Sequence, residues 1–219
     1  MTLFADRHDA GYALAEQVAL AKLTDPLVLA LPRGGVPVGY QVARVIGAEL
    51  DVVVARKVGV PWRPELGVGA VAGDGPPVFD AGVLRLAGLR PEDLEAVVER
   101  ERAEVRRRLA RYRGNRPPPK VAGRAVVVVD DGLATGVTAR AALGSLRQQG
   151  AGQLVFAAPV CAAEPAEALE READAVICAH RLEDFIAVGR WYDDFTQVSD
   201  DAVVALLRRA REHPEPPTP

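Results

Sequence analysis

The sequence predicts an α/β fold: an open, mainly parallel sheet of five strands with helices on both faces. Three observations predict it. Five short runs are apolar throughout rather than alternating, which is how strands covered on both faces read. Segments with apolar residues at helical spacing lie between them, and that alternation indicates a parallel sheet. The chain has 219 residues, 49% hydrophobic and 26% charged, enough for one full core without staples.

The elements follow in order. "DAGYALAEQVALAKL" carries a helical repeat over 9–23, and "PLVLAL" (26–31) is a strand that ends in "PRGG". "VPVGYQVARVIG" (36–47) is a helix stopped by Gly47, and "LDVVVAR" (50–56) is a second strand. "AVVVVD" (125–130) is the third strand, "VTARAALGSLRQQG" (137–150) a helix closed by Gly150, and "QLVFAAPV" (153–160) the fourth strand. "PAEALERE" is a short helix and "ADAVICA" (173–179) the fifth strand. "DDAVVALLRRAREH" is a final amphipathic helix, and the Pro-rich tail 214–219 reads as frayed.

Residues 74–120 break the rhythm and read as an insertion. They hold "GDGPPVFDAGVLRLAG", a charged helix "PEDLEAVVERERAEVRRRLARYR" and then "PPPK". Pro91 and the acids after it suit a helix start. The Arg run 106–108 reads as a solvated face laced by pairs such as Glu104 with Arg108, in preference to a nucleic-acid surface.

Several classes of function are disfavoured. A net charge of −3 makes no global case for nucleic acid or membrane binding. No apolar run approaches the roughly 20 residues of a membrane span, and the start of the chain lacks a signal-peptide layout. Cys161 and Cys178 lack CxxC spacing and sit in apolar runs. They read as small core residues in a reducing compartment, hence a cytoplasmic protein. His8, His180 and His213 are isolated. "GVGAVA" (67–72) matches a dinucleotide fingerprint only formally, because "PWRPEL" before it is no Rossmann strand.

The chemistry concentrates in "VVVVDDGLATGVT" (126–138). In an open parallel sheet, ligands bind outside the carboxyl ends of the strands. Asp130 and Asp131 stand at such an end, and the Gly-containing turn after them leads into a helix. That turn offers free amides and the positive end of a helix dipole, with Thr135 and Thr138 adding hydroxyls: a cradle for a phosphate monoester. Two carboxylates beside a phosphate repel it unless they engage hydroxyls a few ångströms away. The 2- and 3-hydroxyls of a ribose 5-phosphate meet that need.

This stretch resembles the phosphoribosyl pyrophosphate (PRPP) signature of the type I phosphoribosyltransferases. Two further motifs resemble the family. "ALPRGG" (30–35) is similar to its pyrophosphate loop, and "ARKVGVP" (55–61) to the basic segment that leads into a flexible catalytic loop. Together the three cover residues 25–180, in the family's order. The resemblance implies that Asp130 and Asp131 hold the ribose hydroxyls. Leu133, Ala134, Thr135, Gly136, Val137 and Thr138 would wrap the 5-phosphate. Arg33, Gly34 and Gly35 would face the pyrophosphate, with charge from Arg56 and Lys57. It further implies catalysis by Arg33, Lys57 and the aspartates, a cis bond between Pro32 and Arg33, and magnesium carried with PRPP, with Asp130 as a candidate contact. A loop over 59–71, with Trp62 and Arg63, would close over the site. A homodimer is implied by the same analogy.

The family's acceptor site is a small C-terminal hood, here 181–213 beside a core of 1–180, with help from the N-terminus. Phe185, Trp191, Tyr192 and Asp193 are its candidates. The aromatics either stack on a planar base or fill the hood's own core. "VGRWYDDF" (188–195) faintly resembles a closing strand of the 6-oxopurine enzymes, whose late acid falls at Asp193. Those enzymes place an acid where this chain has Ala134 and a lysine near Phe185, so neither purine-contacting group is present. The reading is a PRPP-dependent transferase with a nitrogen acceptor, serving nucleotide metabolism. The alternative is a non-catalytic PRPP sensor on the same fold. Retention of Arg33, Arg56, Lys57 and a covering loop favours catalysis.

Overall fold

Asp6 opens the first helix. Its carboxylate accepts hydrogen bonds from the amides of His8 and Asp9, two of the donors that a helix start leaves unpaired. Helix α1 therefore spans Arg7–Leu20, earlier than 9–23, because apolar spacing registers the buried face and not the cap. The computed structural model describes residues 2–73 and 75–212; His213 and the tail expected to fray lie outside them.

Strand β1 (Pro26–Ala30) leads into α2 (Gly35–Ile46), which ends at Gly47 with φ 65°, a left-handed cap open to glycine at little cost. Strand β2 (Glu49–Val52) stops well before Arg56. This corrects the single strand expected over 50–56. Arg56 and Lys57 cannot continue a strand that is buried on both faces, so the chain leaves the sheet at Val53–Val54. It forms β3 (Ala55–Val60) and β4 (Arg63–Ala72), which pair antiparallel. The closing loop expected over 59–71 is thus a twisted hairpin. Its glycines include Gly69, where a Cβ would run into the backbone of β5 (Val78–Phe79).

The insertion continues with α3 (Ala81–Ala87), a 3-10 turn over Pro91–Leu94, and α4 (Glu95–Arg113). The Glu104–Arg108 pair forms at 2.7 Å, and Arg107 joins it at 2.7 Å. These two guanidinium groups hold the Glu104 carboxyl down at about 2. Strand β6 (Ala125–Val129), α5 (Val137–Gln148), β7 (Gln153–Ala162), α6 (Ala163–Leu169) and β8 (Ala175–Leu182) complete the alternation. Helix α7 (Asp200–Glu212) closes the described chain.

The main sheet runs β2-β1-β6-β7-β8, parallel throughout. Strand order reverses between β1 and β6, so their carboxyl ends diverge into a crevice. The alternating pleat splits β6 between two cores. Val127 and Val129 join the α1, α2 and α7 side, while Val126 and Val128 join the α5 and α6 side. Within the segment expected to form a hood, α7 packs Val203 and Leu207 into the first of those cores. Phe185, Val188, Trp191, Tyr192 and Phe195 instead gather around Phe4.

Cys161 and Cys178 are joined by a disulfide, which corrects the reading of two free core thiols. They belong to the paired strands β7 and β8, an adjacency that a separation of 17 residues does not reveal. The inference of a reducing compartment loses its basis. Among the described residues, no helix is long and apolar enough to cross a membrane.

Candidate active site

The crevice between β1 and β6 brings two of the three motifs together. The Leu31 amide donates to the Val129 carbonyl at 2.8 Å, and the chain then turns through a cis bond between Pro32 and Arg33, as the resemblance implied. Gly34 and Gly35 lie directly against the aspartates. A Cβ on Gly34 would overlap the Asp131 carboxylate, and one on Gly35 would stand 2.6 Å from the Val129 carbonyl oxygen and 3.0 Å from the Asp130 Cα. Neither glycine sits at positive φ. Both are required by close approach.

Asp130 turns one carboxylate oxygen onto the Asp131 amide at 2.9 Å. Burial pushes its carboxyl well above the usual carboxylate range, and the neighbouring Asp131 charge adds to the rise. A raised carboxyl reverses the common carboxylate linkage. Between its ordinary and its raised value the folded state keeps a proton that the unfolded state has lost, so stability falls as pH rises through that window. Asp130→Asn is therefore expected to make the ligand-free protein more stable at neutral pH, by about 1 kcal/mol. The gain should vanish below the ordinary carboxylate range. Urea unfolding across pH checks this, and a destabilised variant at neutral pH would contradict it.

Asp131 has partners that the sequence did not announce. Arg7 Nε donates to its Oδ2 at 2.8 Å, and the same guanidinium donates to the Thr196 carbonyl at 2.9 Å and lies 3.8 Å over the Phe195 ring. The Tyr192 hydroxyl donates to the Asp131 backbone carbonyl at 2.6 Å. Burial, with Asp131 second, pushes that phenol far above its ordinary value, so it stays a donor. Tyr192 is thus a buried strut in the hood's small core, where Phe185 and Trp191 also pack, 6.4 Å apart. Asp193 accepts from the Thr2 hydroxyl at 2.6 Å, and its amide bonds the Phe4 carbonyl.

The loop after Asp131 is fixed at its root. The Leu133 amide bonds the Val160 carbonyl and its carbonyl receives the Ala162 amide, each at 2.8 Å. Ala134 and Thr135 are exposed, Gly136 caps α5 with φ 73°, and Val137 and Thr138 begin the helix. The first-turn amides of α5 have no intrahelical acceptor by construction, so the loop is already shaped as an anion cradle.

The basic residues are spread more widely than expected. Arg56 and Lys57 are neighbours on β3 and so point to opposite sides. Arg56 Nε bonds Glu101 of α4 at 3.0 Å, while Lys57 is exposed. Arg33 Nη1 is 3.9 Å from Asp200, whose carboxyl also accepts from the Tyr112 hydroxyl at 2.7 Å. That bond, with Arg111 adding charge, holds the Asp200 carboxyl below its usual range. Arg7, Glu101, Tyr112 and Asp200 had no motif to mark them.

A two-loop crevice at a strand-order reversal, with paired acids beside the start of α5, is the arrangement that the phosphoribosyltransferase resemblance implied. The family description "phosphoribosyl transferase domain" matches residues 7–196, and the chain belongs to that family. The five-stranded, parallel α/β sheet is the fold that the resemblance implied. A Mycobacterium tuberculosis protein, provisionally named a phosphoribosyl transferase, is 44% identical over 210 residues, 96% of this chain. That match covers 47% of the relative, so the chain spans about half the length of the curated protein it resembles. The crystal structure of TT1426 from Thermus thermophilus superposes with a TM-score of 0.82 at 44% identity, covering 95% of this chain and 99% of that one.

Proposed function

We propose that the protein transfers the 5-phosphoribosyl group of PRPP to a nitrogen acceptor with release of pyrophosphate. One observation carries this reading: Asp130 and Asp131 stand at the end of β6 between a preformed anion cradle and the Gly34–Gly35 loop packed against them. The cradle from Leu133 to Thr138 takes the 5-phosphate, and the two carboxylates accept from the ribose hydroxyls. The backbone of Arg33–Gly35, the Arg33 guanidinium and Lys57 face the pyrophosphate. As the bond from C1 to the pyrophosphate oxygen breaks, the acceptor nitrogen bonds to C1 and its proton passes to the departing pyrophosphate or to solvent. Negative charge grows on the leaving group and positive charge on the ribosyl. Arg33 and Lys57 stabilise the first, the aspartates the second. Holding the sugar at both ends positions C1. The β3–β4 hairpin, with Trp62 exposed at its tip, is the element that would exclude water.

The residues fit magnesium as part of a donor complex. Among the described residues, no three His, Cys, Asp or Glu side chains converge on a metal position. A half-buried carboxylate such as Asp130 beside phosphate oxygens is the kind of donor set that a hard cation shares with its substrate. When bound, the ion would neutralise the pyrophosphate as it leaves. We assign the activity to the cytoplasm on the charge of the donor alone, since a polyanion does not cross a bilayer unaided.

The test is calorimetry with PRPP and magnesium, followed by pyrophosphate release across free bases, orotate, glutamine and ammonia. Binding is expected, with turnover on at least one acceptor. Hypoxanthine and guanine are expected to fail, because Ala134 and Phe185 supply neither a base nor a side-chain donor. Loss of a general base costs about 10²–10⁴ in rate. A kcat/KM of about 10⁴ M⁻¹s⁻¹ on either purine would overturn that expectation. Binding without turnover on any acceptor would favour the sensing role.

A further inference from the structure

Arg7 stands where the sugar is expected. Its Nε–H donates to Asp131, the carboxylate that the proposed reading assigns to a ribose hydroxyl, and the pair is well covered, with side-chain exposures of 11% and 15%. The guanidinium does not depend on that bond. It keeps the Thr196 carbonyl and the Phe195 ring as anchors, and Arg7 is fixed in the first turn of α1 behind the Asp6 cap. Asp131 does not depend on it either, because Tyr192 holds its backbone carbonyl and the Gly34–Gly35 loop walls its carboxylate. One hydrogen bond can therefore be exchanged while both residues stay in place.

We propose that Arg7 is an internal stand-in for the sugar hydroxyls, displaced from Asp131 when a ribose donor binds. The proposal rests on the phosphoribosyl-transfer reading of the site. In the free protein Arg7 neutralises one of two adjacent acids that would otherwise face each other and the solvent. A ligand with hydroxyls replaces one donor to Asp131 by another. A sugar phosphate without them leaves Asp131 to Arg7 and gains nothing there. Arg7 thus sets how strongly the site distinguishes the two, since specificity is a difference of affinities and depends on what each ligand must displace.

The probes are ribose 5-phosphate and 2,3-dideoxyribose 5-phosphate. In wild-type protein labelled with [15N]arginine, the Arg7 Nε–H resonance, identified by its absence in Arg7→Lys, should shift and lose its exchange protection on saturation with ribose 5-phosphate. It should stay in place with the dideoxy sugar. By calorimetry, Arg7→Gln removes the competitor and should raise the ratio of the two affinities by about three- to tenfold. Loss of the Arg7 charge weakens both ligands alike and leaves the ratio clean. A resonance unmoved at saturation, or an unchanged ratio in a folded Arg7→Gln protein, overturns the proposal. If that variant does not fold, the wild-type resonance decides alone. Failure of the underlying reading looks different: the wild type then binds both sugars equally, or neither, and the proposal falls with it.

Discussion

Gly34→Ala is expected to weaken donor binding strongly while the protein stays folded. The new Cβ would occupy the place of the Asp131 carboxylate. Only a short side chain stands in its way, so Asp131 can swing aside at modest cost to stability. Once it does, it loses Arg7 and its place beside the cradle. We expect affinity for PRPP to fall by about 100-fold, the scale of losing charge-assisted hydrogen bonds in a positioned site. Gly35→Ala is the contrast. Its Cβ would meet the Val129 carbonyl and the Asp130 Cα, which are backbone and cannot step aside. That variant should lose about 1–3 kcal/mol of stability through overpacking. Calorimetry and urea unfolding on both variants separate the two effects. A Gly34→Ala protein that binds PRPP normally would mean that the two loops separate when the ligand arrives.

Phe156→Ala should give the largest loss of stability. Phe156 is fully buried on β7, between Val128 of β6 and Val176 of β8, and is among the largest side chains in the core that also holds Leu143, Leu146 and Leu154. Truncating it leaves a cavity in the middle of the sheet, where neighbours on both sides are held by strand pairing. The expected cost is about 3–5 kcal/mol, which lowers the melting temperature by roughly 6–20 °C for a chain of this size. Guanidinium unfolding gives the number. A cost under about 1 kcal/mol would mean that the α5 and α6 face collapses into the space.

The parallel core was legible because its strands are marked locally. "AVVVVD" is apolar to its last residue and then charged, so it names both a buried strand and its carboxyl end. The turn into α5 was legible for the same reason, since Gly136 and the threonines are contiguous with that strand. The paired form of residues 59–71 was less legible, because glycine signals both a hinge and a close backbone approach. Gly69 is the second kind, and only its neighbour in β5 reveals that. The disulfide and the Arg7–Asp131 bond depend on strand and helix adjacency, and the latter joins residues 124 positions apart. Arg56 shows a further limit. Its charge was visible, but the strand's alternation turns it to Glu101.

Phe4 and Tyr192 meet across a parallel bridge that joins almost the two ends of the described chain. On a ribosome they are made far apart in time. At roughly 5–20 residues per second, Phe4 emerges roughly 10–40 seconds before Tyr192. Until then its ring has no hood to enter, and the strut beneath Asp131 does not exist. β1, β6 and β7 can pair earlier, so the sheet precedes the pocket. A nascent chain would therefore be structured well before it could hold a sugar phosphate, and the last turn of assembly would be the one that switches the site on.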